Sequence, residues 1–456
     1  MQIQNFTIMS NVIKLRKGLD LPLKGQAEKK VVTEIKPDVV AIKPTDFKGL
    51  TPKLTVKEGD SVKAGSPLFA DKMHPDILFT SPVSGKVEKV IRGEKRKLLA
   101  VTVKADTEQK YENFKAGNPA DLSAGQIKSL LLQSGLWASL IQRPYGIVAN
   151  PDTTPKAVFV SGFNTAPNAA DIEFTLGDQL EFIQAGIDAI AKVSGAKVHL
   201  SLCGKSFLEG CKNVEIHRFE GKHPAGNVGI QIHHISPIRK GETVWTVSPL
   251  MLAAIGKLLL NGKLDLSRLV ALTGPDIPQN CYVKGIAGMK VKELGKLLWV
   301  WKADTRFVSG DALSGTSIGE DGFLGFRDDQ FTFLLEGDYN EMFGWANPIR
   351  SKQFSASHAY FSWLCPRKRY KIDTNLHGGV RAFMFNTVYT DVLPMHIFPV
   401  HLCKACMAGD IDKMEKYGIY EVLPEDLATC EFVCPSKIEW QDAIRSGIDL
   451  MLKEMV

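Results

Sequence analysis

Apolar positions along the chain change period several times, and each change marks a different element. Between residues 35 and 105 the pattern is short and alternating. Val56, Val62 and Leu68 are separated by polar residues and by turns at Gly59-Asp60 and Gly65, and a further turn at Ser84-Gly85 leads into Val87. This is the signature of short strands joined by tight turns. From about 125 to 240 helical and strand periods alternate. Residues 128–140 are amphipathic, Ala157 to Ser161 form a continuous apolar strand, and Leu180, Ile183, Ile187 and Ile190 recur at helical spacing up to Gly195. Further strands are predicted over 196–202 and 214–219. A strand–helix–strand unit of this length implies a right-handed crossover and parallel pairing. The most apolar run, residues 244–260, is interrupted by Pro249 and Lys257. It predicts a buried helix with Ser248 as N-cap, Pro249 in the first turn and Gly262 just beyond its end, and is too short and interrupted to span a bilayer.

Beyond residue 265 the pattern gives a strand over 269–274, a turn, a second strand at Cys281-Tyr282-Val283, and a helix from Val291. This fits a small β-grasp (SLBB-like) module. Residues 305–395 alternate irregularly between strand and loop. From 400 the chain is helical, with one helix over 410–417 stopped by Gly418 and an amphipathic helix from Trp440. The expected organisation is a multi-domain α/β protein with these parts: a lead-in over 1–34; a barrel-sandwich hybrid domain over 35–105; an open α/β sheet over 106–262; the β-grasp module over 263–302; mixed strand and loop over 303–399; and a helical tail over 400–456. Met9-Ser10 followed by Val12-Ile13-Lys14-Leu15 reads as an alternative start, with Met1 to Met9 as an extension.

Composition alters this picture little. A chain of 456 residues is long for one core, and 44% hydrophobic with 23% charged residues is ordinary for globular domains. The net charge of +6 is scattered along the chain, which suits solubility or a face turned towards anionic lipid rather than a nucleic-acid groove. Eight cysteines without a basic-then-apolar leader point to a reducing, cytoplasmic setting.

Candidate chemistry is sparse. The turn-rich stretch before residue 105 resembles the barrel-sandwich fold of biotinyl and lipoyl carrier domains, whose modified lysine sits on a hairpin tip. At that tip this chain has Asp71-Lys72-Met73-His74-Pro75-Asp76. His74 stands eight residues before Pro82, and Lys72 is misplaced without flanking methionines, so a carrier role is not expected. The adjacent His233 and His234 are expected on a strand, facing opposite ways and unable to chelate together. His223, His358, His377, His396 and His401 lack a partner at ligand spacing. Ser84 and Ser314 sit in routine serine–glycine turns without a nucleophile elbow, and Asp410, Asp412 and Glu415 form an ordinary acidic helix start. Hydrolase chemistry has no support.

Seven segments in order resemble the NqrA subunit family of the Na⁺-translocating NADH:quinone reductase. The first three are Lys17-Gly18-Leu19-Asp20-Leu21-Pro22, the run from Phe79 through Pro82 and Gly85 to Val87, and Ser134-Gly135-Leu136-Trp137 with Arg143-Pro144. The others are His223-Pro224-Ala225-Gly226; Ser309-Gly310 with Leu313-Ser314-Gly315-Thr316; Phe343-Gly344-Trp345-Ala346 with Lys352 and Phe354-Ser355; and Cys430 to Cys434-Pro435 with Lys437. Residues 376–381 depart from the family pattern. The resemblance implies a complex that oxidises NADH, reduces quinone and exports Na⁺. It also implies that this chain is a peripheral subunit on the cytoplasmic face of the bacterial inner membrane, without independent activity, beside the membrane subunit that carries covalent FMN. Other subunits then hold the NADH site, FAD, FMN and Fe–S groups, with quinone as substrate and no nucleic-acid partner.

The family is related to RnfC and to the flavin subunit of respiratory complex I, which raises the question of retained cofactor sites. Relatives cradle FMN phosphate on a GGxGFP-type loop, where small residues expose backbone N–H groups. The stretch from Gly135 to Pro144 has one glycine and places Leu136 and Trp137 where phosphate would sit, with Trp137 read as core, so no tightly bound flavin is expected. RnfC-type clusters need CxxCxxCxxxCP runs. Counting back from Pro435, the ligand positions are Pro424, Leu427, Cys430 and Cys434; counting forward from Cys403 they are Cys406, Gly409 and Lys413. Each run keeps half its ligands. No metal is therefore expected, the alternative being one shared site of Cys403, Cys406, Cys430 and Cys434.

Two loops at predicted strand ends remain as the candidate quinone or partner cleft, where open α/β sheets bind ligands. They supply Gly162, Phe163 and Asn164 after the first strand, and His223, Pro224 and Gly226 after the third. The plainer reading of the second loop is a proline–glycine turn. The rival functions are an RnfC-type electron-transfer subunit, a free-standing NADH dehydrogenase flavoprotein, and a biotin or acyl carrier.

Overall fold

The computed structural model describes residues 12–296, 304–342, 350, 353–359 and 361–455. The first nine residues, 343–346 and Lys352 lie outside the described residues. The expected lead-in is divided between two sheets. β1 (Val12–Lys14) adds an edge to the α/β sheet and β2 (Val31–Glu34) adds an edge to the sheet built from residues 267–335.

Seven strands form the barrel-sandwich domain: β3 (Val39–Ile42), β4 (Pro52–Leu54), β5 (Ser61–Val62), β6 (Pro67–Asp71), β7 (Leu78–Thr80), β8 (Gly85–Arg92) and β9 (Leu98–Ala105). Sheets ordered β3-β9-β8-β5 and β4-β6-β7 enclose Phe69, Phe79, Val87, Val101 and Val103. The alternating positions are the buried ones, as half-buried strands require.

The α/β domain contains α1 (Ala124–Ser134), β10 (Ile141–Arg143), β11 (Ile147–Val148), β12 (Ala157–Ser161), α2 (Ile172–Leu176), α3 (Leu180–Ser194), β13 (Lys197–Leu202), β14 (Glu215–Glu220), α4 (Val228–Ile235), β15 (Val244–Thr246) and α5 (Pro249–Asn261). Its sheet runs β1-β14-β13-β12-β15-β10-β11, with the first five strands parallel. The apolar run expected to be one helix divides before Pro249. Val244–Thr246 form a buried strand between β12 and β10, and α5 begins at the proline with Ser248 capping Met251 N and Gly262 closing the end. Helices α3 and α5 bury Ile183, Ile187, Leu252 and Ile255 against Val158, Val160, Val198 and Leu200. On the opposite face Ile232 of α4 packs with Phe159 and Val244.

The third sheet does not stop at residue 302. β16 (Ser267–Thr273) pairs antiparallel with β17 (Cys281–Ile286), and the expected mixed region supplies β18 (Thr305–Ser309), β19 (Thr316–Ser317) and β20 (Gln330–Leu335). The order is β19-β18-β20-β16-β17-β2, and β20 lies parallel to β16. The helical tail comprises α6 (Val388–Val392), α7 (Pro399–Ala408), α8 (Ile411–Tyr417), α9 (Ala428–Val433) and α10 (Trp440–Met455), around Tyr389, Leu402, Met414, Trp440 and Ile444. Among the described residues no helix is long and apolar enough to cross a membrane.

Candidate functional site

The loops after β12 and β14 meet at the C-terminal edge of the parallel sheet. Ser161 Oγ lies 2.9 Å from both the Phe163 and Gly226 carbonyls and accepts a 2.8 Å bond from Gln231 Nε2. Gly226 N donates to Thr165 Oγ1 at 2.9 Å, and the same hydroxyl lies 3.1 Å from His223 Nδ1. Burial lowers the pKa of His223, while the carboxylates of Asp311, Asp20 and Asp426 oppose the shift. The Lys17 to Pro22 segment wraps the same loop. His223 N donates to Asp20 Oδ1 at 2.9 Å and Leu19 N donates to His223 O at 2.7 Å.

The six candidates are thus brought together, but the space between the loops is filled. Gly162, His223, Pro224 and Gly226 are buried, and a Cβ on Gly226 would lie 2.6 Å from Thr165 N. Phe163 is half-buried and Asn164 is exposed, its Oδ1 accepting from Ala166 N at 2.9 Å. These two side chains are where the loop pair reaches the surface.

Behind the loops an ion pair joins the α/β sheet to the tail. Arg143, 2% exposed, donates to Asp426 Oδ2 at 2.9 Å and to Glu425 Oε1 at 2.9 Å; Asp426 is 0% exposed and also accepts from Leu423 N at 3.0 Å. Burial alone would lower the guanidinium pKa, but the two carboxylates outweigh it and raise it. Asn227 Nδ2 donates to Glu425 O at 2.9 Å. Gly229 on α4 is required here, because its Cβ would lie 2.1 Å from Asp426 Oδ2 and 2.4 Å from Arg143 Nη1. Sequence reading picked out Arg143-Pro144 but missed Asp426, for which no motif gives a signal.

Next to this pair opens a cleft of about 1040 Å³, with walls from all four parts of the chain: Lys43 and Asp46, Ile141 and Gly146, the 313–318 loop, and Glu425 with Arg445. Its lining is strongly charged. Burial pushes the Asp46 carboxyl up, and Arg327 Nη2 donates to Asp46 O at 2.6 Å. None of the six loop candidates lines it.

The stretch expected to lack a phosphate cradle packs between domains. Gly135 is the left-handed C-cap of α1, and Leu136 and Trp137 are fully buried. Trp137 Nε1 donates to Ala149 O at 2.7 Å, and its ring stands edge-on to Trp245 at 5.5 Å. Cys403, Cys406, Cys430 and Cys434 are all buried in the tail core. Cys430 Sγ donates to Tyr389 O at 3.7 Å, and the Tyr389 hydroxyl lies 3.2 Å from Cys434 Sγ. Burial pushes the Cys403 and Cys406 thiols up to about 12 and raises Cys430 as well.

His233 and His234 lie on helix α4 and not on a strand. The strand expectation fails because the helical spacing of Val228, Ile232 and Ile235 favours a helix seated on β12 and β15. Each ring anchors the tail: His233 Nδ1 to Glu421 Oε2 at 2.5 Å, and His234 Nε2 to Pro394 O at 2.9 Å. His396, which lacks a partner by spacing, donates from its backbone N to His233 Nε2 at 3.0 Å.

Residues 13–106 match a family model described as the NqrA N-terminal barrel-sandwich hybrid domain, and residues 122–264 match the NqrA second alpha/beta domain. The chain is similar to the NqrA protein of the Na(+)-translocating NADH-quinone reductase of Yersinia pestis bv. Antiqua (strain Angola), 35% identical over 441 residues, 95% of this chain and 98% of the relative. The corresponding protein of Neisseria meningitidis serogroup A (strain Z2491) is 34% identical over 455 residues, 97% of this chain and 100% of the relative. Among solved structures, an NAD+-reducing [NiFe]-hydrogenase in the H2-reduced state aligns at TM-score 0.36 and 11% identity, covering 74% of this chain and 62% of that one.

Proposed function

The chain belongs to the NqrA family, and on that premise we propose that it is the peripheral NqrA component of a Na⁺-translocating NADH:quinone reductase, supporting quinone reduction where it docks on a membrane subunit. The observation that carries this reading is the match over 95% of the chain and 98% of the relative, which extends the likeness across every part of the fold. In this reading the complex sits with this chain on the cytoplasmic face of the bacterial inner membrane. The membrane subunit with covalent FMN is the neighbour, and NADH, FAD and Fe–S groups are handled by other subunits. The part over 263–302 is read as a β-grasp (SLBB-like) module, on the antiparallel pair β16 and β17. Exposed Phe361, Trp363 and Leu364, next to Arg367, Lys368 and Arg369, give an apolar and basic face of the kind that suits an integral partner in anionic lipid.

Phe163 and Asn164 are the parts of the loop pair placed to touch quinone, with Gly162, His223, Pro224 and Gly226 holding them from behind. An apolar ring wall next to an amide fits a quinone better than a phosphate. A photoreactive quinone analogue in the assembled complex is expected to label the peptide containing Phe163 and Asn164. Label confined to membrane subunits would overturn direct contact.

The same reading assigns no redox group to this chain. The purified protein is expected to be colourless, because Leu136 and Trp137 fill the phosphate position and the four tail cysteines are packing residues. Stoichiometric flavin on denaturation, or stoichiometric iron in anaerobic preparations, would restore the flavoprotein or RnfC-type alternatives.

A further inference from the structure

At the N-terminal ends of β13 and β14, on the sheet face away from α3 and α5, three side chains converge that the quinone reading does not use. The parallel register sets His199 beside Glu215 and Ser201 beside His217, so all of these project from one face. His199 Nδ1 lies 3.0 Å from His217 Nε2 and 3.4 Å from Glu215 Oε2, and one ligand atom from each residue falls within 4.8 Å of the others. Ligand atoms at Zn–N and Zn–O distances around one ion, at angles from octahedral to tetrahedral, stand about 2.9–3.4 Å apart. Two of the three separations here fall in that range, and the third is no more than 4.8 Å.

The surroundings fit the same use. Phe159 stacks on the His199 ring at a centroid distance of 4.9 Å and fixes its orientation. His199 is buried, His217 half-buried and Glu215 exposed, so the cluster opens to solvent on one side, where water would complete the coordination. Lys197 Nζ holds Glu215 Oε1 at 2.6 Å and leaves Oε2 turned towards the rings. Burial keeps both imidazoles below their ordinary pKa, that of His199 further lowered by His217, so both are neutral, as ligation requires.

We propose that His199, Glu215 and His217 form a binding site for a late first-row divalent metal ion, Zn²⁺ above all, that ties β13 to β14. Two imidazoles and one carboxylate are the donor set such ions prefer. The test is equilibrium dialysis of the full untagged chain against Zn²⁺, with competition by a chromogenic chelator and Co²⁺ substitution for spectra. One ion per chain is expected, with Co²⁺ bands free of thiolate charge transfer. His199→Ala and His217→Ala are expected to weaken binding by roughly 100-fold and Glu215→Gln by about tenfold, as expected for lost ligands. Zn²⁺ retained by the double histidine variant, or thiolate bands with Co²⁺, would each overturn the site.

Discussion

Replacing Arg143 by Ala is expected to release the helical tail from the α/β sheet at a cost of about 3–5 kcal/mol, because it leaves Asp426 charged and buried without its partner. Asp426 has no route to water at 0% exposure, and its remaining hydrogen bond from Leu423 N does not replace a guanidinium. Asp426→Ala carries a similar cost, with Arg143 left at 2% exposure. The double change Arg143→Met with Asp426→Leu is expected to recover most of the loss, since two apolar groups of similar volume can stand in for a buried pair. Gly229→Ala acts on the same spot by pushing a methyl into both charged groups. In a chain of several domains one global unfolding curve is not interpretable. The measurement is therefore amide exchange across 388–455 compared with 157–202. Tail protection should fall by about 10²-fold or more, at 1.4 kcal/mol per decade, while the sheet stays protected. Tail protection unchanged in Arg143→Ala would show that His233–Glu421 and the apolar contacts suffice.

What the sequence disclosed follows the range of the forces involved. Helices α3 and α5 were legible because one stripe of Ile and Leu and local caps at Ser248, Gly195 and Gly262 fix them within a few residues. The parallel pairing of β12 with β13 followed from the strand–helix–strand connection between them. Edge strands β1 and β2 were not legible, since three or four residues adopt strand conformation only when a distant partner offers its backbone. β15 was hidden because an apolar run has no period of its own. The same limit applies to the sites. The two candidate loops were found because both follow predicted strands. Arg143 and Asp426 are 283 residues apart, and His199 meets His217 through register alone, so no local spacing announces either pair.

Removing this chain from the assembled complex is expected to abolish NADH-driven quinone reduction while NADH-to-ferricyanide transfer persists. The argument starts from the position that would hold a nucleotide. Gly135 closes helix α1, and Leu136 and Trp137 are enclosed in the interdomain core. In the proposed role electron input from NADH belongs to another subunit, and an artificial acceptor that draws electrons at that point does not need this chain. Quinone reduction does need it, in the proposed role, because the loop pair ending at Phe163 and Asn164 and the exposed face at Phe361 and Trp363 meet the membrane partner. In the proposed role the chain is held by that docking, so dissociating salt or chaotrope without detergent should release it, and alone it should show no Na⁺-stimulated NADH oxidation. An NADH-oxidising subunit predicts the reverse pattern. If ferricyanide reduction collapses with the other subunits still assembled, the role assigned here is wrong even though the family is right.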